Sequence, residues 1–112
     1  MGFHALVIEP DAAERSLLRE YLSAEGWQVS EARSAEEAMQ SLNEHHWALI
    51  FCAAHFHATN GVEGSGISLL DKLRRKLGVA TYIVMTGTQG GPGAPLEAIL
   101  GGASDYIRKA LS

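Results

Sequence analysis

Apolar runs and amphipathic stretches alternate along this chain, and their order predicts its architecture. "FHALVI" at positions 3–8 is a short apolar run, the pattern of a strand buried on both faces of a parallel sheet. Asp11 followed by Glu14 makes a capping-box-like start, and Leu17, Leu18, Tyr21 and Leu22 then recur at helical spacing up to Gly26. "WQVSEA" sets Trp27, Val29 and Glu31 against polar neighbours, which predicts a strand with one better-buried face. Ser34 with Glu37 opens a second helix through Ala38, Met39 and Leu42 towards His45 and His46, residues whose partial charge suits a helix end.

"WALIFCA" at 47–53 is a continuous apolar run, expected to be the most buried strand. A glycine-rich loop is expected over 58–66, and "ISLLDKLRRKL" predicts a third helix ending at Gly78. "TYIVMT" reads as a fourth strand, "GTQGGPGAP" as a connector, "LEAIL" as a short helix stopped by Gly101 and Gly102, and "SDYIRKA" as a fifth strand. No hairpin is read among these strands. The chain is therefore expected to be α/β, with a parallel sheet covered on both faces and a working site outside the carboxyl ends of the strands. That rule selects Glu9–Asp11, the end of the second strand, Ala53–His57, Thr86–Thr88 and Lys109–Ala110.

The 112 residues suit one domain, 1–112, and a mix of 46% hydrophobic and 20% charged residues is ordinary for a globular chain. A net charge of −4 gives no basic footprint, which disfavours nucleic acid as a partner. Cys52 is the only cysteine, so no internal disulfide forms, and no stretch is long enough to span a bilayer. A cytoplasmic location is expected.

The residues at the strand ends, with "ALVIEPDAAERSLLREYLSAEGWQVSEARSAEEAMQSL" near the start and "GASDYIRKA" near the end, give the chain a resemblance to the receiver domain of two-component response regulators. The resemblance runs almost end to end. It implies a flavodoxin-like five-stranded sheet of order 2-1-3-4-5, two acidic residues that hold Mg²⁺, and an aspartate on strand three that accepts a phosphoryl group. Carried over, Glu9 falls on the first acidic position and Pro10 on the second, with Asp11 beside them. Ala53 falls on the phosphoacceptor position, Thr86 and Lys109 match the hydroxyl and lysine, and Tyr106 matches the aromatic switch residue. The family's Lys-Pro pair stands here as Lys109-Ala110, for which a trans bond is expected. The loop after strand three is longer than in the family, and the last helix is missing.

A carboxylate nucleophile and a divalent ion are both needed for phosphoryl transfer to an acidic residue. The Ala53 methyl has no lone pair, and Glu9 beside a proline is a poor Mg²⁺ site. Glu9 and Lys109 are instead expected to pair with each other. The reading is a degenerate receiver, a pseudo-receiver without phosphoacceptor, cofactor or enzymatic activity, which signals through a protein partner. Thr86 and Tyr106 read either as a surviving two-position switch or as a strand end and an edge cover. His55 and His57, near Glu9 and Asp11, are weak zinc candidates beside the alternative of a solvated loop. A residual enzyme or small-ligand or metal-binding module on the same fold, using the long loop and the "TGTQGG" turn, is the alternative function, and a phospho-responsive regulator with a displaced acceptor a third. Without the fifth helix, apolar side chains of strands one, three and five should face water. Either the chain is cut short or a partner or second copy covers that patch, as in a homodimer.

Overall fold

The structure is a computed structural model that describes residues 3–59, 62–87 and 93–109, the side chains of 57–59 and 62–64 excepted. Its main sheet contains β1 (His4–Ile8), β2 (Gln28–Ala32), β3 (Trp47–Ala53), β6 (Tyr82–Gly87) and β7 (Asp105–Arg108). The order is β2-β1-β3-β6-β7 and all four pairings are parallel, so the five main strands run 2-1-3-4-5 as the resemblance implies. Four helices are described: α1 (Ala12–Ala24), α2 (Ala35–Ser41), α3 (Gly66–Leu77) and α4 (Ala94–Leu100). This is a flavodoxin-like α/β fold.

Local chemistry sets the helix ends. Asp11 caps α1 by accepting from the N–H groups of Ala13 and Glu14, Ser34 caps α2 through Glu37 N–H, and Ser65 caps α3 through Ser68 N–H. The two sides of the sheet bury unequal cores. Leu6, Ile8, Ile50, Cys52, Ile83 and Met85 pack with Ala38, Leu69, Leu70, Leu73 and Ala98 of the helices. On the other side Ala5 and Val7 pack with Leu22 of α1, flanked by half-buried Trp27, Val29, Leu49 and Phe51.

Three expectations are corrected. The stretch read as a glycine-rich loop instead holds a separate antiparallel hairpin, β4 (His55–Thr59) and β5 (Val62–Ser65), anchored to the main core by Phe56. The sequence carries the signal, because Asn60-Gly61 separates the paired Thr59 and Val62, and that dipeptide favours two-residue hairpin connections. Secondly, α2 ends at Ser41, so His45 and His46 do not close a helix. The His45 ring instead stacks on His4 (centroids 4.1 Å apart) and meets Trp47 edge-on. Thirdly, the most buried strand is β1, whose residues Ala5 to Ile8 are fully enclosed, whereas Ala48, Leu49 and Phe51 of β3 are only half-buried. α1 packs on β1 and β2 and leaves the β3 side less covered.

The same asymmetry leaves Tyr82 of β6 and Ile107 of β7 exposed, along with Leu17 (64%) and Tyr21 (68%) one turn apart on α1. Strand one, expected to face water, is covered by α1; β3 is half-buried at Leu49 and Phe51, and the exposed large apolar side chains of the main sheet are on β6 and β7. Among the described residues the last element is β7.

Arg74 holds the approach to β7. Its guanidinium donates to the carbonyls of Gly102 (2.6 Å), Thr81 (2.6 Å) and Gly78 (3.1 Å) and to Ser104 Oγ (3.0 Å). Ser104 Oγ in turn accepts from Ile83 N–H at 3.0 Å. One side chain on α3 thereby fixes where β7 starts beside β6, and so where Lys109 arrives.

Candidate functional site

β1 delivers Glu9 to the carboxyl edge of the sheet, where its N–H donates to Ala32 C=O (2.9 Å) and its side chain is buried, 2% exposed. A carboxylate is expensive to bury unless paired and hydrogen-bonded. Both conditions are met: Oε1 binds Lys109 Nζ and Oε2 accepts from Asp11 N–H at 3.0 Å. Lys109 reaches it because its own N–H donates to Gly87 C=O (2.9 Å) just beyond β7. Asp11 directs Oδ1 at Ala13 and Glu14 N–H (2.9 and 3.1 Å), so it serves the helix start.

Arg15 closes the loop from the other side, donating to Glu9 C=O (2.8 Å) and Pro10 C=O (3.4 Å) and pairing with Glu31 (3.3 Å). Sequence reasoning missed this residue. The available signal was its place in the first turns of α1, where a long side chain leans towards the helix N-terminus and covers the preceding loop.

Ala53, the last residue of β3, is 1% exposed and pairs with Thr86, itself buried. Ala54 N–H donates to Thr86 C=O (2.7 Å), and Ala54 C=O accepts from Gly66 N–H (2.9 Å), so the backbone entering α3 crosses directly over the end of β3. Tyr106 of β7 pairs with Met85 and packs half-buried against the larger core. Cys52 is fully buried. Burial, and secondarily the charge on Glu9, pushes its thiol up to about 12, so it stays protonated and is a poor nucleophile.

The structure therefore brings together Glu9, Lys109, Ala53 and Thr86, with Pro10 and Asp11 on the adjoining loop. His55 is exposed at the start of the hairpin, away from the loop role expected of it. The His57 side chain, the Lys109-Ala110 bond, Thr88 and the rest of the "TGTQGG" turn lie outside the described residues. Among the described residues no group of three His, Cys, Asp or Glu side chains is placed to hold a metal. The donor set at the strand ends does not fit Mg²⁺. Glu9 is bound by an ammonium, Asp11 serves the helix cap, and Pro10 and Ala53 offer no side-chain oxygen.

A doubly wound parallel sheet with an acid, a threonine and a lysine gathered at its carboxyl edge defines a class of α/β signalling domain. The family profile described as "Response regulator receiver domain" matches residues 5–112, and the chain belongs to that family. It is 31% identical over 107 residues to the transcriptional regulatory protein ResD of Bacillus subtilis, covering 96% of this chain and 42% of ResD. Part of NtrX from Brucella abortus is similar in structure, with a TM-score of 0.86 at 26% identity over 100% of this chain and 24% of that one. A CheY-like receiver domain protein from Methanospirillum hungatei gives a TM-score of 0.84 at 20% identity, over 100% of this chain and 85% of that one. The chain spans less than half the length of curated relatives such as ResD. Membership in this family does not favour the small-ligand alternative.

Proposed function

We propose that this receiver works by protein–protein contact without being phosphorylated. One observation carries the reading: at the end of β3, where the family resemblance puts the phosphoacceptor, stands the buried methyl of Ala53. The neighbouring carboxylate supports it, since Glu9 already has its cation in Lys109. Phosphoryl transfer needs a nucleophile with a lone pair and a metal to gather the transferred oxygens, and these side chains supply neither. Residues 1–112 act as one module with no cofactor and no catalysis of their own, in the cytoplasm, with a protein and not a nucleic acid as partner. Among the described residues no helix is long and apolar enough to cross a membrane.

A titration with Mg²⁺ and beryllofluoride, followed by amide NMR, tests this. The expected result is no cluster of shifts around Glu9, Ala53 and Thr86. Saturable, clustered shifts there overturn the reading.

The partner is proposed to be a second copy of the chain, docking on exposed apolar side chains of α1 and the sheet. Leu17 and Tyr21 on α1, and Tyr82 and Ile107 on the sheet, are large apolar side chains left exposed. Sedimentation equilibrium is expected to show concentration-dependent association that Leu17→Glu abolishes. A strictly monomeric protein at high concentration rules the self-contact out.

A further inference from the structure

We propose that Gly87 and Ala54 form a seat holding the Tyr106 phenol turned inward, so that this residue has one setting, fixed by packing and independent of any input at the strand ends. The inference rests on the phosphorylation-independent reading and adds to it the means by which the domain keeps a single form.

The geometry is specific. A Cβ built on Gly87 would lie 2.4 Å from Tyr106 Oη, 3.2 Å from Tyr106 Cζ and 3.2 Å from Ala54 Cβ. The ring of Tyr106 therefore leans from its pairing position beside Met85 along β6, and its hydroxyl end occupies the space that any side chain at 87 would take. The floor of the seat is tied down by backbone hydrogen bonds. Gly87 ends β6 and its carbonyl accepts from Lys109 N–H, while Ala54 is held on both sides by Thr86 C=O and Gly66 N–H. Ala54 contributes only a methyl, which leaves room for the phenol. Lys109 is tied to Glu9 and Ala53 carries only a methyl, so among the described residues the phosphoacceptor position offers no group to take up a phosphoryl charge and move the ring. The alternative for Tyr106 is a rotamer towards solvent, which forfeits its contact with the core.

The test uses the full chain labelled with 3-fluorotyrosine. Its three tyrosines give three fluorine signals, with Tyr21 and Tyr82 as exposed controls and Tyr106→Phe for assignment. A soluble paramagnetic agent is expected to broaden the Tyr21 and Tyr82 signals and largely spare Tyr106. In Gly87→Ala the Tyr106 signal should broaden as much as the controls. Should Gly87→Ala fail to fold, combining it with Tyr106→Phe removes the oxygen nearest the new methyl and should restore a folded spectrum. A native Tyr106 signal as broadened as Tyr21, a folded Gly87→Ala protein with Tyr106 still protected, or a double variant that stays unfolded each overturns the seat. A Tyr106 signal that moves on adding Mg²⁺ and beryllofluoride overturns the phosphorylation-independent reading and with it the single setting. An inert pocket combined with an unchanged Gly87→Ala spectrum removes the seat alone.

Discussion

Replacing Lys109 with methionine is expected to destabilise the fold by about 3–5 kcal/mol, because it strands a buried carboxylate without its cation. Glu9 is 2% exposed and Lys109 15%, so water does little to replace the lost partner. One Glu9 oxygen keeps its bond from Asp11 N–H, but the Oε1 charge loses Lys109. The pair itself need not stabilise the protein much, since removing both charges also removes the cost of burying them. Chemical denaturation of Lys109→Met, Glu9→Gln and the double variant separates these effects. The double variant is expected to recover most of the loss seen in Lys109→Met. Equal loss in both would mean that Glu9 is not the group Lys109 neutralises. In this chain the ammonium therefore satisfies its own strand-end acid, the interaction on which the proposed loss of phosphoryl chemistry partly rests.

Gly66→Ala is expected to lower stability by about 3 kcal/mol or more, at the upper end of what overpacking costs. Gly66 does not have a positive φ, and in a helix alanine is favoured over glycine by about 1 kcal/mol, so local propensity predicts the opposite sign. Contact decides the outcome. A Cβ there would lie 2.2 Å from Ala53 O, 2.7 Å from Ala54 Cα and 2.9 Å from Ala54 O. All three are backbone atoms, so no side-chain rotation relieves the clash; either the start of α3 or the end of β3 has to move. A fall in melting temperature of roughly 10–20 °C is expected, to be read by calorimetry. An unchanged melting temperature would show that the crossing of α3 over β3 is looser than described.

Much of this architecture is legible in the chain itself. Five apolar or alternating runs separated by capped helices leave few arrangements besides a parallel doubly wound sheet, and Asp11, Ser34 and Gly78 mark helix ends by local chemistry alone. The strand-end rule then points to Glu9, Ala53, Thr86 and Lys109 with no contact known. The hairpin at 55–65 was also legible, through Asn60-Gly61, but alternation there was obscured by glycines and read as a loop. The end of α2 had only Asn43 as a local stop signal, and the stacking of His45 on His4 is a contact between distant segments.

The sequence by itself determined which chemical groups this receiver possesses: a methyl at Ala53, a proline at position 10, one acid at Glu9 and one lysine at Lys109. Chain order and side-chain type are enough for that, because strand ends converge in this fold whatever they carry. The pairing of Glu9 with Lys109 was already expected from the strand ends; only the tertiary structure decided how that pair is held and what else closes over it. Glu9 and Lys109 lie 100 positions apart, and their pairing depends on Arg74 setting the start of β7 and on Gly87 accepting from Lys109 N–H. The crossing of Gly66 over Ala53 and the fit of Tyr106 over Gly87 are likewise distances between backbones brought together by packing. Local patterns carry periodicity and capping, but such close approaches depend on the placement of whole elements, which no short stretch of sequence contains.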